Sequence, residues 1–475
     1  MESKSHDFKV RSGQALKDPF LQSALENLSL GFVESRRKCA EALPEFEALR
    51  DLGKNIYDHT LENLDFYLRR YEEKVIESGG HVHWASTPDE ACRIATDICD
   101  QAKAKKVIRG KSMIGEEMGI NDALDEAGFE TTETDLGEYI LQLAEEPPSH
   151  IVAPAIHKTK DEISDLFQVY HADRGFTERQ TERTALVQEA RQVLRESFIS
   201  ADVGITGANF LIAETGSNII VTNEGNGDLT CTLPKVHIVT AAIDKVIPSI
   251  EDAMVLLRLL GRSATGQEIT AYTTFTTGPK RAEDDDGPEE YHVILLDNGR
   301  STMLANEFRD MLRCIRCGAC MNHCPVYGSI GGHAYGWVYP GPMGSVLTPM
   351  MVGLDKAVDL PNACTLNGRC QDVCPVRIPL PKLLRAHRTW QHERKFNSSV
   401  FRFGLGIWTF FACHPNLYQF CTRIVMTVMG SLGRRKGVFS RMPLAGGWTQ
   451  ARDLPTPQGK TFQAAWRAKQ REKKQ

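Results

Sequence analysis

Four cysteines crowd into one short stretch, Cys314, Cys317, Cys320 and Cys324, in the run C-I-R-C-G-A-C-M-N-H-C-P, and some forty residues beyond it the pattern nearly repeats. The second run reads C-T-L-N-G-R-C-Q-D-V-C-P, with Cys364, Cys370 and Cys374, and with Asn367 where the spacing asks for a fourth cysteine. Of the 13 cysteines in this 475-residue chain, these runs hold seven. Such a count suits a disulfide framework only in a small secreted domain. The N-terminal residues Met1 to His6 contain no apolar h-region of a secretory signal. The expectation is metal ligation in a reducing cytosol, hence a cytoplasmic protein. The other six, Cys39, Cys92, Cys99, Cys231, Cys413 and Cys421, are scattered and read as buried structural thiols.

The spacing C-x2-C-x2-C-x3-C-P is that of bacterial two-cluster ferredoxins. Thiolates three residues apart curl around one cubane and reach three of its irons. The fourth cysteine cannot turn back to the same cluster and ligates the other one. Applied here, the rule gives cluster I the ligands Cys314, Cys317, Cys320 and Cys374, and cluster II Cys324, Cys364 and Cys370, with Asn367 at the fourth corner. Pro325 and Pro375 stiffen the exit from each run. A zinc site needs only four ligands, and one C-x2-C pair per arm supplies them; a largely duplicated four-cysteine run exceeds that. The expected cofactors are therefore one [4Fe–4S] cluster and a second iron–sulfur cluster. The second is either [3Fe–4S] or a site-differentiated [4Fe–4S] whose odd iron takes an oxygen, a water or a distant thiolate such as Cys413. A cluster that assembles poorly is a third outcome. Losing a thiolate removes a negative charge and should raise the potential of cluster II.

Along the chain, residues 1–75 read as a helical arm, with Leu25, Leu28 and Phe32, then Leu49, Leu52, Ile56, Leu61, Leu64 and Leu68 at helical spacing. It should pack on the next domain or on a partner subunit. Residues 76–299 alternate strands with helices and predict a parallel α/β sheet. Strands are expected at His81–Trp84, Lys106–Ile108, Phe129–Thr132, Ile151–Pro154, in the block from Val203 to Thr222, and at Val236–Thr240 and Tyr291–Leu296. Residues 300–395 form the ferredoxin-type segment. Residues 396–475 are a helical C-terminal region whose basic tail, from Trp466 to Gln475, reads as a solvated end. No apolar stretch reaches the ~18–20 residues of a membrane span, so no transmembrane segment is expected.

The α/β part carries no G-x-G-x-x-G after a strand and no P-loop lysine motif. Its anion-binding composition lies in loops: Lys111 and Ser112; Gly204 to Asn209, including Thr206; and Glu214, Thr215, Gly216 and Ser217. Tight turns explain any single one of these loops as well. His157 and Lys158 follow an apparent strand end, where α/β sheets bind ligands.

Five segments make a family resemblance specific: Gly-Lys-Ser-Met (110–113), Thr-Asp-Leu-Gly-Glu-Tyr (134–139), Pro-Ala-Ile-His-Lys (154–158), Ala-Glu-Thr-Gly-Ser (213–217) and Thr-Asn-Glu-Gly-Asn (222–226), followed by the two cysteine runs. In this order they resemble the lactate utilization protein B family, iron–sulfur proteins of bacterial L-lactate oxidation. The resemblance implies a lactate-utilization domain of ribose-5-phosphate isomerase/CoA-transferase-like fold, an α-helical ferredoxin domain with two [4Fe–4S] clusters and a cytoplasmic location. It also implies the A and C proteins of the same system as partners. The chain departs from the family pattern at Asn367, where that pattern has a cysteine.

The function expected is that of an iron–sulfur electron-transfer subunit of a multi-protein system oxidising L-lactate to pyruvate, passing electrons to an acceptor the sequence does not name. No flavin or nicotinamide motif is visible, so a two-electron centre is expected on a partner or at an unrecognised site in the α/β domain. Lys111, Ser112, His157 and Lys158 are candidates to anchor a carboxylate. The alternatives are a CoA-transferase-like enzyme with Glu214 or Glu224 as nucleophile, and a redox-sensing regulator. No nucleic-acid recognition motif supports the latter.

Overall fold

The computed structural model describes residues 3–442, 449 and 452–473. Two compact units emerge, one running to Gln391 and one from His392 onward.

The first unit is built on a six-stranded sheet of β1 (His81–Ala85), β2 (Lys106–Arg109), β3 (Glu130–Glu133), β4 (Val203–Gly207), β7 (Val236–Ala242) and β10 (Glu290–Leu296). Its order is β1-β10-β7-β4-β2-β3, and every neighbouring pair is parallel. All positions of β4 and β7 are buried, the mark of central strands covered on both faces. A smaller mixed sheet stands beside it, ordered β8-β5-β6-β9 from β5 (Phe210–Ile212), β6 (Ser217–Thr222), β8 (Val246–Ile247) and β9 (Tyr272–Thr276).

Local signals account for the helix starts. Thr87 accepts the Glu90 N–H and Pro88 occupies the first helical turn, opening the helix Pro88–Gln101. Ser112 caps the helix Met113–Met118 by accepting the Gly115 N–H at 3.2 Å. Asp135 accepts the N–H groups of Gly137 and Glu138 at the head of the helix Leu136–Ala144. The long helix expected near residues 178–200 spans Arg183–Ser200.

Residues 151–154, expected as a strand, form a loop instead. The reason is the neighbouring histidine. His150 Nδ1 accepts the N–H groups of both Val152 and Ala153 at 3.0 Å, and the Ser149 N–H reaches the Pro154 carbonyl, so the backbone folds around its own side chain.

The N-terminal arm is helical, with its longest helices at Phe46–Glu62 and Leu64–Glu77, and it packs on its own chain. Gly53 lies against Leu259 of the helix Ile250–Ala264, where a Cβ would come within 2.8 Å of the leucine side chain. The same arm grips the cysteine segment. Arg36 donates to the Val373 carbonyl, and Arg50 to the carbonyls of Asp372 and Cys374. The arm and the second cysteine run are thus tied through buried guanidinium groups, each hydrogen bond being charge-assisted.

The second unit holds the helices Ser399–Cys413 and Pro415–Gly433, an antiparallel pair β11 (Val438–Phe439) and β12 (Leu454–Pro455), and the helix Phe462–Glu472. Phe403, Trp408 and Phe420 are exposed on its helices. The tail expected as a solvated end is exposed and helical as far as Glu472, its last two residues lying outside the described ones: Thr461 caps the helix, accepting the Ala464 N–H, and Arg467 donates to Gln419. No helix among the described residues is long and apolar enough to cross a membrane.

Candidate functional site

The two cysteine runs fold alike. In the first, Arg316 and Gly318 adopt left-handed backbone (φ 57° and 76°) before a short helical turn, Ala319–Asn322. In the second, Leu366 and Gly368 do the same (φ 55° and 87°) before Arg369–Asp372. Equivalent positions sit fifty residues apart, which makes Asn367 the counterpart of Cys317. Asn367 is exposed, and its side-chain oxygen accepts the Arg369 N–H at 3.1 Å.

Cys314, Cys317 and Cys320 of the first run and Cys374 of the second line one narrow cavity, closed by Met311, Met343, Ile378 and Leu380. The electrostatic neighbours of Cys370 include Cys364 and Cys324, and Cys320 of the first run also feels Cys370, so the two sets of thiols lie close to each other. None of the thirteen cysteines is in a disulfide. Backbone amides point at the sulfurs: Ile378 N–H to Cys374 Sγ and Leu366 N–H to Cys364 Sγ, both at 3.3 Å. Burial pushes the Cys317 and Cys370 thiols up to about 12 and Cys374 to about 11. Buried thiols of this kind lose their protons to a metal rather than to water. Convergent sulfurs, amide donors and an apolar rim together fit an iron–sulfur cluster at the first group. Cys413 is exposed in the second unit, on the helix Ser399–Cys413.

A larger cavity, of about 310 Å³, opens at the carboxyl ends of β2, β4 and β7. Gly110 to Ile114 follow β2 into it, Gly207 ends β4 with Ala208 and Asn209 after it, and Ala241 and Ala242 end β7. The end of β6 and the turn after it add Ile220 to Glu224. Parallel sheets bind ligands at this edge. The cysteine segment closes the cavity with Ile315, Arg316 and Tyr339, so the two sites share a wall.

A buried charge network underlies that wall. Glu117 accepts two hydrogen bonds from Arg300 at 2.8 Å, one from Asn298 at 2.7 Å and one from the Tyr339 hydroxyl at 2.5 Å. Arg300 also donates to Asp244, and Lys245 donates to Asp244 and to the Cys314 carbonyl at 2.6 Å. Burial alone would raise Glu117, but Arg300 outweighs it and holds the carboxyl below its ordinary value. Arg316 stacks over the Tyr339 ring at 4.9 Å. In the cavity lining, burial and then Asp135 raise Glu224.

Of the loop residues singled out in the sequence, Lys111 and Ser112 line this cavity; the Lys111 ammonium donates to the Val152 carbonyl at 2.7 Å. Thr206 sits one residue short of the lining, buried in β4 and bonded to His237 at 2.8 Å. His157 and Lys158 lie elsewhere, both paired with Glu146. Glu214, Thr215, Gly216 and Ser217 make the β5–β6 turn outside the cavity. There Thr215 bonds Ser217, and the left-handed Gly216 lets the turn press on the backbone of Lys74 and Val75. Glu224 lines the cavity, whereas Glu214 faces the Ile250 N–H. Sequence reasoning passed over Lys245, Arg300, Arg316 and Tyr339. The one available signal was an arginine between two cysteine ligands.

Three family models match the chain: LUD domain over residues 68–296, 4Fe-4S dicluster domain over 310–378, and the C-terminal domain of lactate utilisation protein B over 397–471. Lactate utilization protein B of Lysinibacillus sphaericus is 43% identical over 97% of both chains. The chain belongs to the lactate utilization protein B family. An uncharacterized electron transport protein of Escherichia coli, YkgF, is 42% identical over 100% of this chain and 99% of its own. The counterpart in Bacillus pumilus is 42% identical over 98% of each. A crystal structure of a DUF162 family protein from Deinococcus radiodurans covers 49% of this chain and 98% of its own at 16% identity, with a TM-score of 0.25. This chain is an iron–sulfur protein of lactate utilization, with a dicluster domain at the two cysteine runs.

Proposed function

We propose that the chain is the electron-transfer component of a cytoplasmic multi-protein system that oxidises L-lactate to pyruvate, working with the A and C proteins of that system. The observation that carries this reading is the cavity lined by thiols from both runs, Cys314, Cys317, Cys320 and Cys374. In this reading those four hold a [4Fe–4S] cluster. Cys324, Cys364 and Cys370 hold a second one, [3Fe–4S] or site-differentiated, with Asn367 at the open corner. Bound iron–sulfur clusters take and give electrons one at a time.

The protein's own part is to seat and screen these centres. The buried arms of Arg36 and Arg50 hold the second run in place, and Met311, Met343 and Leu380 keep water from the first group of sulfurs. Lys111 and Ser112 stand in the neighbouring cavity, a short step from the same wall, where a substrate carboxylate would find donors. The electron acceptor lies outside this chain.

Reconstitution tests the proposal. The anaerobically purified chain is mixed with the A and C proteins, L-lactate is added, and the visible absorption of the clusters is followed. Bleaching that requires all three proteins is expected. Clusters that stay oxidised while pyruvate accumulates would overturn the electron-transfer role. Loss of growth on lactate after gene deletion is expected in parallel.

A further inference from the structure

We infer that the cavity at the carboxyl end of the sheet is a binding site for a small carboxylate, held by the Arg316 guanidinium beside Cys314 and Cys317. The inference rests on the function proposed above only for which carboxylate is used.

Three observations carry it. First, the cavity has the size of a small-molecule site, about 310 Å³, at the low end of the ~300–1,000 Å³ such sites span. It also lies where parallel sheets bind ligands. Second, the charges around it are hydrogen-bonded to one another and one donor is left over. Arg300 is matched by Glu117 and Asp244, and Lys245 by Asp244 and the Cys314 carbonyl. The Arg316 Nη1 nitrogen is buried without a hydrogen-bond partner, while its guanidinium rests on the Tyr339 ring. An unpaired buried donor on a charged group is costly and calls for an acceptor. Third, the planar fork of a guanidinium matches the two oxygens of a carboxylate. Lys111 and Arg316 in the lining attract an anion, and Asp135 and Glu224 in the same lining repel a multiply charged one. The donors Ser112 and Asn209 remain for a polar group next to the carboxylate. Because Arg316 lies between Cys314 and Cys317, a ligand held there sits against the wall of the first cysteine site.

The test is isothermal titration calorimetry of the anaerobic, iron-loaded full chain with sodium L-lactate, sodium pyruvate and sodium phosphate. Binding of a carboxylate is expected, with at least a tenfold loss in Arg316→Gln and partial recovery in Arg316→Lys. A second readout is the EPR spectrum of the reduced protein, which should change on adding the carboxylate in wild type and not in Arg316→Gln. Iron content is measured in each variant. If Arg316→Gln loses iron, Ala264→Phe replaces it: this fills the cavity at the end of the helix Ile250–Ala264, and it should abolish binding with iron intact. Equal carboxylate affinity in wild type and Arg316→Gln, tighter binding of phosphate than of carboxylate, or no binding in wild type overturns the inference. Binding that persists in a chain whose clusters lactate does not reduce would leave this site standing and remove the electron-transfer reading.

Discussion

Glu117→Gln should be among the most damaging near-isosteric changes in the α/β domain. The Glu117 side chain is fully buried and Arg300 is 1% exposed. The carboxylate accepts four hydrogen bonds, two from Arg300 and one each from Asn298 and Tyr339. An amide keeps the shape but loses the charge, and its NH2 turns a donor toward donors. Breaking one partner of a buried pair costs ~3–5 kcal/mol. Arg300 keeps Asp244 as a second partner, at 2.8 Å, so the lower end applies, about 3 kcal/mol. The assay is anaerobic urea unfolding followed by far-ultraviolet circular dichroism, at equal iron content. Replacing both partners, Glu117→Leu with Arg300→Met, should recover part of the loss, because neither side of that pair is then stranded, while Asp244 loses Arg300 and keeps Lys245. A loss under about 1 kcal/mol in Glu117→Gln, typical of exposed pairs, would refute the view that this network holds the wall between the two cavities. So would a double variant as unstable as the two single losses combined.

Other expectations follow from particular residues. Burial lowers His150 from 6.5 to about 4, so the unfolded chain takes up the proton first. Its contribution is complete above about pH 6.5 and is lost as pH falls toward 4, by about 3 kcal/mol; acid unfolding of His150→Gln should be flatter across that window, and an identical profile would contradict the assignment. Gly332→Ala should destabilise strongly, because a Cβ there would sit 1.7 Å from the Ser149 carbonyl oxygen; a melting temperature within a degree or so of wild type, against the ~2–4 °C per kcal/mol of larger domains, would count against the packing of that loop. Where wild type shows a [3Fe–4S] EPR signal, Asn367→Cys should add an iron and abolish it, at a stability cost of about 1 kcal/mol for the lost Arg369 contact; a [3Fe–4S] signal and iron content that both persist unchanged would mean that Asn367 is not at the open corner.

The cysteine runs were legible because their information is local. Ligand spacing, the following proline and the missing thiol at Asn367 all lie within a dozen residues. The parallel sheet was legible from alternating apolar strands and capped helices such as Pro88–Gln101. The strand expected at Ile151–Pro154 failed because the His150 side chain, invisible to periodicity, captured its amides. The second cavity was hardly legible at all. Its lining comes from the ends of β2, β4 and β7 and from the cysteine segment, and only folding joins them. Nothing in the local sequence around Glu117 points to Arg300, 183 residues away, which only folding brings to it.

The central claim is that each cluster draws ligands from both runs, and EPR of single-cysteine variants tests it most directly. In oxidised, anaerobically prepared protein, the account favours a [3Fe–4S] signal near one spin per chain. Cys324→Ser should remove that signal and Cys320→Ser should leave it. A signal that depends on Cys320 and survives Cys324→Ser would contradict the cross-run assignment. A silent oxidised spectrum with about eight irons per chain, the content of two cubane clusters, would instead replace the open corner by a second cube.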